Sequence, residues 1–314
     1  MKQICVKRKI AVMDMRALQV FLSVADSLNF SRSAERLHLS VSAVSRTVQR
    51  LEEELGQELL QRDQRSMRLT PAGRAFLQYA QRSVAEWQDL RRQMRGDQQL
   101  AGEVNLFCSV TASYSILAPV LEAFRLRQPG VEIMLHTGDQ ADGIERVLSG
   151  QDDVAVSGRP EYLSSRLAFL SLLQSPMVVC MPAADCAVRR SMLSGDMASP
   201  GFDWSGIPFI VPERGVTKDM LDGWLERRGS KPRIYAQVAG HEAIVAMVGL
   251  GLGVGIAPEL VIQASGMAAR VSPVPVWEPL GPLDIGLVSL SSRLADPRVK
   301  SLWSVARQTY GIPL

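Results

Sequence analysis

Cysteine and histidine are scarce in this chain of 314 residues: four cysteines (Cys5, Cys108, Cys180 and Cys186), none in a CxxC pair, and three histidines. Zinc fingers and disulfide frameworks need clustered ligands or paired thiols, so neither organises this fold. No apolar run approaches the ~18 residues that a membrane-spanning helix needs. The start, MKQICVKRKIAVM, is basic, but its apolar part covers only Ile10 to Met13. That is too short for a secretory signal, and the chain is expected in the cytoplasm. Catalytic signatures are also missing. There is no GxSxG, Walker A loop, HExxH, or GxGxxG placed between strand and helix, so no enzyme and no cofactor is expected. Gly249 to Gly255 is glycine-rich, but it follows a helix and enters a strand, the wrong order for cradling phosphate.

Net charge is small as well, at +3. The average conceals an asymmetry. Residues 1–95 carry 17 Lys/Arg against 10 Asp/Glu, a balance of +7, and the remainder carries 18 against 22, or −4. A basic segment on an acidic body suggests a polyanion-binding module joined to something else, although a solvated charged surface gives the same count. The length allows two or three domains.

Between Arg16 and Leu69 the pattern is helical with short polar breaks. Leu18, Phe21, Leu22 and Ala25 share a face, which predicts a first helix from Met15 to Ser27. Ser31 is the expected N-cap of a second helix ending at Leu37. Ser40 caps a third, with Val44, Val48, Leu51 and Leu55 as its stripe and Gly56 as its stop. The alternating stretch Leu59 to Thr70 reads as a wing. Residues 13–70 therefore form a winged helix-turn-helix, whose third helix enters the major groove of double-stranded DNA. Ser40, Val41, Ser42, Ser45 and Arg46 would face base edges, and Arg50, Arg62, Arg65 and Arg68 would neutralise phosphates.

Pro71 opens a long helix over 71–95. Phe76, Ala80, Ser83, Trp87, Leu90 and Met94 alternate spacings of four and three, a coiled-coil seam for dimerisation; a helix packed on its own domain is the alternative. Residues 96–102, rich in Asp and Gln, form the expected hinge. From 103 to 314 strands and helices alternate and the β-α-β-α-β pattern occurs twice, which predicts parallel sheets in two lobes. One lobe spans about 103–174 and 270–314, the other about 175–269. The fold class is thus α/β with an all-α, winged amino-terminal part. Ligands in such sheets sit beyond strand ends, near helix N-termini that favour anions. Those ends supply Ser109, Thr111, Ser113, Thr137, Gly138, Ser157 and Gly158 in the first lobe, and Arg214, His241 and Glu242 in the second. They suit a small hydroxylated anion, although each could simply cap a helix or face solvent.

The segment Met15 to Gly73 resembles the amino-terminal domain of LysR-type transcriptional regulators. The matching residues are Phe21, Ala25, Phe30, Ser33-Ala34, Leu37, Ser40, Val44-Ser45-Arg46, Leu51-Glu52, Leu55-Gly56, Arg62 and Leu69-Thr70-x-x-Gly73. The family usually has Gln-Pro where this chain has Val41-Ser42, and Phe where it has Leu60. Both departures at 41 and 42 fall at base-reading positions, so the operator sequence does not carry over. The resemblance implies a linker helix, a bilobed effector domain like periplasmic binding proteins, and a homodimer or tetramer on promoter DNA that works with RNA polymerase. It also implies a start at Met13, which leaves residues 1–12 as a non-native extension. FCSVTASYS, HTGDQADGIERV and GHEAIVAMVGLGLGVGIAPE resemble the branch that activates acetohydroxy acid isomeroreductase synthesis. That branch implies acetolactate or acetohydroxybutyrate as inducer; the alternatives are another pathway with another carboxylate, or a solute-binding protein or enzyme of similar fold.

Overall fold

The computed structural model describes residues 13–63, 66–94 and 100–313. It divides after Gln98 into two compact units. The expected extension over residues 1–12 and the first part of the hinge lie outside the described residues.

The amino-terminal unit runs α1 (Met15–Ser27), α2 (Phe30–Leu37), α3 (Val41–Leu55), β1 (Leu60–Asp63), β2 (Ser66–Leu69) and α4 (Pro71–Met94). Each of the three short helices starts on a side-chain acceptor that satisfies an otherwise orphaned backbone N–H. Asp14 accepts from Ala17 at 2.7 Å, Asn29 from Arg32 at 3.1 Å and Ser40 from Ala43 at 3.2 Å. The second cap is thus Asn29 rather than Ser31, because Asn29 is extended and Phe30 has already turned into the helix. Leu28 and His38 close α1 and α2 in the left-handed region, at φ 47° and 54°, so both breaks are made without glycine.

Two apolar clusters fill this unit. Val20 and Val24 of α1 meet Ala34, Val44, Val48 and Leu60. On the other side Ala17, Leu18 and Phe21 meet Leu51, Leu59, Phe76 and Ala80. The Phe21 and Phe76 rings cross edge to face with centroids 4.9 Å apart, a geometry that places ring edge on ring face. Phe76 and Ala80 therefore belong to the domain's own core rather than to a seam open to a second chain. Ser83 is half-buried and Trp87 is exposed, whereas the side chains of Leu90 and Met94 lie outside the described set.

The wing is fixed to α3 by one carboxylate. Glu52 Oε1 accepts the backbone N–H groups of Leu59 at 2.8 Å and Leu60 at 3.1 Å. A Cβ on Gly73 would lie 2.0 Å from the Leu59 carbonyl oxygen, so this first turn of α4 admits only glycine. These contacts give physical reasons for three residues of the family pattern: Glu52, Thr70, whose hydroxyl accepts from Gly73 at 2.9 Å, and Gly73 itself.

The second unit contains β3 (Gly102–Cys108), α5 (Val110–Ala112), a π-helical turn (Ser113–Leu117), α6 (Ala118–Arg127), β4 (Val131–Thr137), a 3-10 turn (Gln140–Asp142), α7 (Gly143–Leu148), β5 (Val154–Gly158) and β6 (Leu167–Ser175). There follow β7 (Met177–Pro182), α8 (Ala187–Leu193), β8 (Pro208–Pro212), α9 (Val216–Arg227), β9 (Arg233–Val238), α10 (His241–Gly249), β10 (Val254–Pro258), α11 (Glu259–Ala264), β11 (Val271–Val274), β12 (Leu283–Leu290) and α12 (Pro297–Thr309). One lobe is built on the sheet β4-β3-β5-β12-β6 and the other on β11-β7-β10-β8-β9.

Both sheets are mixed, which corrects the expectation of parallel ones. β12 runs antiparallel to β5 and β6, and β7 antiparallel to β10 and β11. The reason is that the chain crosses between lobes twice. Strands β6 and β7 are separated only by Pro176, which leaves no room for a crossover helix, so β7 enters the second sheet reversed. The return crossing follows Val274 rather than residue 270, because Val271–Val274 pairs with β7.

We expect Glu52→Ala to leave two backbone donors of the wing unsatisfied and to cost about 2–3 kcal/mol of amino-terminal-unit stability. Glu52→Gln keeps the accepting oxygen and should lose less. Urea denaturation followed at both units checks the pair; equal losses would remove the hydrogen bonds as the cause.

Candidate DNA-reading surface and effector cleft

The side of α3 away from its buried Val44, Val48 and Leu51 carries Ser42, Arg46 and Arg50 exposed, Ser45 is half-buried at its border, and Val41 is exposed at the first turn, in line with Val44 and Val48. Ser40 is tied up as the N-cap and lies 3.1 Å from the Ser42 hydroxyl. Arg46 Nε donates to the Ser42 carbonyl at 3.1 Å, which lays the guanidinium along the helix start. Gln49, exposed on the same face, was not among the residues expected from sequence; its position between Arg46 and Arg50 was the available signal. On the wing, Arg68 is exposed and donates to Gln61 at 3.1 Å. Arg62 pairs with Met67 in the β1–β2 register, but its side chain is outside the described set, as is Arg65 altogether.

In the second unit, α5 and α10 begin at strand ends on opposite lobes and point their N-termini at one another. Ser109 accepts from Ala112 at 3.2 Å as the α5 cap. The next orphan donor, the Thr111 N–H, reaches across the lobes to Glu242 Oε1 at 3.1 Å. His241 and Glu242 open α10 after Gly240, whose φ of +81° makes the sharp turn from β9. Tyr114 adds a second cross-lobe bond, its hydroxyl donating to the Ala264 carbonyl at 3.1 Å. Arg214 adds an ion pair to Asp142 at 2.6 Å.

Beside these contacts is a cavity lined by Ser109, Thr111, Ser115, Gln140, Pro258 and His241, with Ile116, Val156, Val261 and Ile285 supplying apolar walls. Its volume is about 20 Å³, room for a water molecule rather than a metabolite. The structure thus brings Ser109, Thr111, His241 and Glu242 together, with Arg214 at the rim beside Asp139 and Thr217.

Five expected residues stand apart. Side chains alternate along a strand, so with Val156 in the cavity Ser157 points away, and its hydroxyl donates to the Gly158 carbonyl. Gly158 instead faces the Leu283 side chain. Thr137 and Gly138 are exposed at the end of the edge strand β4. Ser113 turns back to the Val110 carbonyl, and Ser115, four residues after Thr111, takes the cleft position. Gln140 and Thr217 escaped sequence reasoning because neither ends a strand.

His241 is 5% exposed, and its Nε2 lies 2.8 Å from the Thr217 hydroxyl and 3.4 Å from the Gln140 amide nitrogen. Burial pushes its pKa down from 6.5 to about 4, against the opposing pull of Glu242, so the ring is neutral at pH 7. Burial pushes the Glu242 carboxyl up. Hydrogen bonds from Thr111 and from its own backbone, with His241 beside it, more than offset that and keep it ionised.

Among the described residues no group of three or more His, Cys, Asp and Glu side chains could hold a metal ion, and no helix is long and apolar enough to cross a membrane.

A winged helix-turn-helix followed by a bilobed ligand-binding unit defines a regulator that reads DNA and senses a metabolite within one chain. The chain belongs to the LysR family of transcriptional regulators. Residues 15–74 match the bacterial regulatory helix-turn-helix protein of the lysR family, and residues 97–311 match the LysR substrate binding domain. It is 42% identical over 299 residues to the HTH-type transcriptional activator IlvY of Salmonella typhimurium, covering 93% of this chain and 99% of that one. The IlvY activator of Haemophilus influenzae is 38% identical over 295 residues. In fold it is similar to CbnR bound to its target DNA (TM-score 0.62, 22% identity, 95% of this chain and 100% of that one). It is likewise similar to full-length OxyR of Pseudomonas aeruginosa (TM-score 0.64, 22% identity, 94% and 95%). LysR regulators bind promoter DNA and small-molecule effectors and form oligomers, and these relatives are named as regulators, not enzymes.

The unfolded chain binds a proton at His241 below pH 6.5, whereas the folded chain does so only near pH 4. Stability contributed by the neutral ring is therefore fully present above pH 6.5 and is lost as pH falls to about 4, by about 3 kcal/mol. Denaturation of the second unit across that window checks this, and His241→Asn should flatten the slope.

Proposed function

We propose that this chain is an activator of acetohydroxy acid isomeroreductase expression, with acetolactate or acetohydroxybutyrate as inducer. The observation that carries the proposal is the end-to-end match to IlvY activators, 42% over 93% of the chain. The strings around Thr111, Gln140 and His241, which resemble that branch of the family, line the same cleft. The chemistry agrees. Both inducers are small anions with a hydroxyl and a keto group, and the cleft offers a backbone N–H at a helix start, three hydroxyls, an amide and a neutral imidazole.

Two chains would pair through the part of α4 beyond Ala80, where Trp87 is exposed, and two such dimers would form a tetramer on the promoter. The two α3 helices of a dimer would enter major grooves about one helical turn, ~34 Å, apart. Ser42, Ser45 and Arg46 would contact base edges, Val41 a thymine methyl, and Arg50, Arg62, Arg65 and Arg68 the phosphates. Inducer bound between the lobes would favour one quaternary state, change the DNA bend and promote contact with RNA polymerase in the cytoplasm.

Gel-shift titration on the operator upstream of the isomeroreductase gene tests the first half. Arg46→Ala should weaken specific binding about 10–100-fold, matching ~1–3 kcal/mol for a base-reading arginine. Undiminished binding would remove α3 as the reading helix. Calorimetry of the full chain with acetolactate, acetohydroxybutyrate and other keto acids tests the second. Response to a different carboxylate, with none to either acetohydroxy acid, would defeat the pathway assignment.

A further inference from the structure

Glu242 holds the position in the cleft that suits an incoming carboxylate best. Its Oε1 accepts the Thr111 N–H at the start of the helical run through Arg127, and it occupies the first turn of α10 on the other lobe. Oε2 folds back over the turn at Gly240, 3.3 Å from where a Cβ there would stand. One side-chain carboxylate therefore serves two helix N-termini, contributed by residues 131 positions apart. The cavity beside it holds no more than a water molecule, so a metabolite cannot enter while every side chain stays in place.

Of the cross-lobe contacts, this one is the most readily exchanged. Arg214 and Asp142 form an ion pair with half the arginine exposed, away from the cavity wall. The Tyr114 hydroxyl donates to the Ala264 carbonyl at the end of α11, and neither residue lines the cavity. At Thr111 the partner is itself a carboxylate, and another carboxylate makes the same hydrogen bond.

We propose that Glu242 is a built-in occupant of the effector's carboxylate position, and that a carboxylate inducer binds by displacing it from the Thr111 N–H. This rests on the reading of the cleft as the effector site. In the uninduced chain Glu242 closes the lobes. In the induced chain the ligand carboxylate takes the Thr111 N–H, and Glu242 withdraws toward α10. Displacement also sets specificity. A neutral hydroxyketone offers no anion for the exposed helix start, so it cannot take the place of Glu242 even when it fits the space.

Calorimetric titration of the full-length chain, its Glu242→Gln variant and its Glu242→Asp variant tests this. The probes are acetolactate, lactate, 2-oxobutyrate and acetoin, the neutral decarboxylation product of acetolactate. Glutamine keeps the size but gives up the charge; aspartate keeps the charge but draws it back by one methylene. Both variants should bind acetolactate about tenfold more tightly than the unaltered chain, with acetoin unimproved. Unchanged or weaker acetolactate binding by Glu242→Gln would overturn the proposal. Tighter binding by Glu242→Gln alone would also overturn it, by reducing the effect to removal of a charge. If acetolactate binds none of the three but lactate or 2-oxobutyrate shows the gain in both variants, displacement stands and the pathway reading fails. If no carboxylate binds any of them, both fail.

Discussion

Two helix N-termini facing each other across a cleft form an unfavourable arrangement unless negative charge lies between them. Each presents unpaired N–H groups and the positive end of a dipole worth roughly half a charge. The second unit places α5 and α10 in this arrangement because each begins just past the carboxyl end of a strand, β3 in one lobe and β9 in the other. The chain meets the constraint internally with Glu242. The neutral state of His241 accompanies that closure, since it follows from burial of the ring. A site built this way is already organised for an anion before any anion arrives.

The amino-terminal unit uses a carboxylate differently. Glu52 binds two adjacent N–H groups of its own wing and has a structural role, fixing the wing against the helix that carries Arg46 and Arg50. Holding both surfaces on one rigid body is what allows a few side chains to reach base edges while others touch phosphate. In one unit the carboxylate is permanent, and in the other it is exchangeable.

Much of this was legible from the sequence, for identifiable reasons. The helices of the amino-terminal unit follow from apolar spacing and from polar residues that can cap, so α1 and α3 lie where periodicity put them. Asn29 displaced Ser31 because two good caps were near one another and only backbone geometry chose between them. Phe76 and Ala80 fit a coiled-coil spacing, but the same spacing fits a helix covering its own domain, and spacing alone cannot say which surface is covered. The antiparallel strands β7 and β12 were missed as a reversal because crossing between lobes leaves no mark on periodicity. Of the cleft, Thr111, His241 and Glu242 were legible as strand-end residues. Gln140, Ser115 and Thr217 were not, since their roles arise from a 3-10 turn, a π-helical turn and the first turn of α9.

Exchange of Glu242 for an effector places the effector carboxylate between the lobes, at the Thr111 N–H. A crystal structure of the full-length chain with acetolactate tests it most directly. The ligand carboxylate should lie within hydrogen-bond distance of the Thr111 nitrogen, at about 2.7–3.2 Å, with the Glu242 carboxylate moved off that donor. Acetolactate bound elsewhere, or bound with the Thr111–Glu242 hydrogen bond intact, would contradict it.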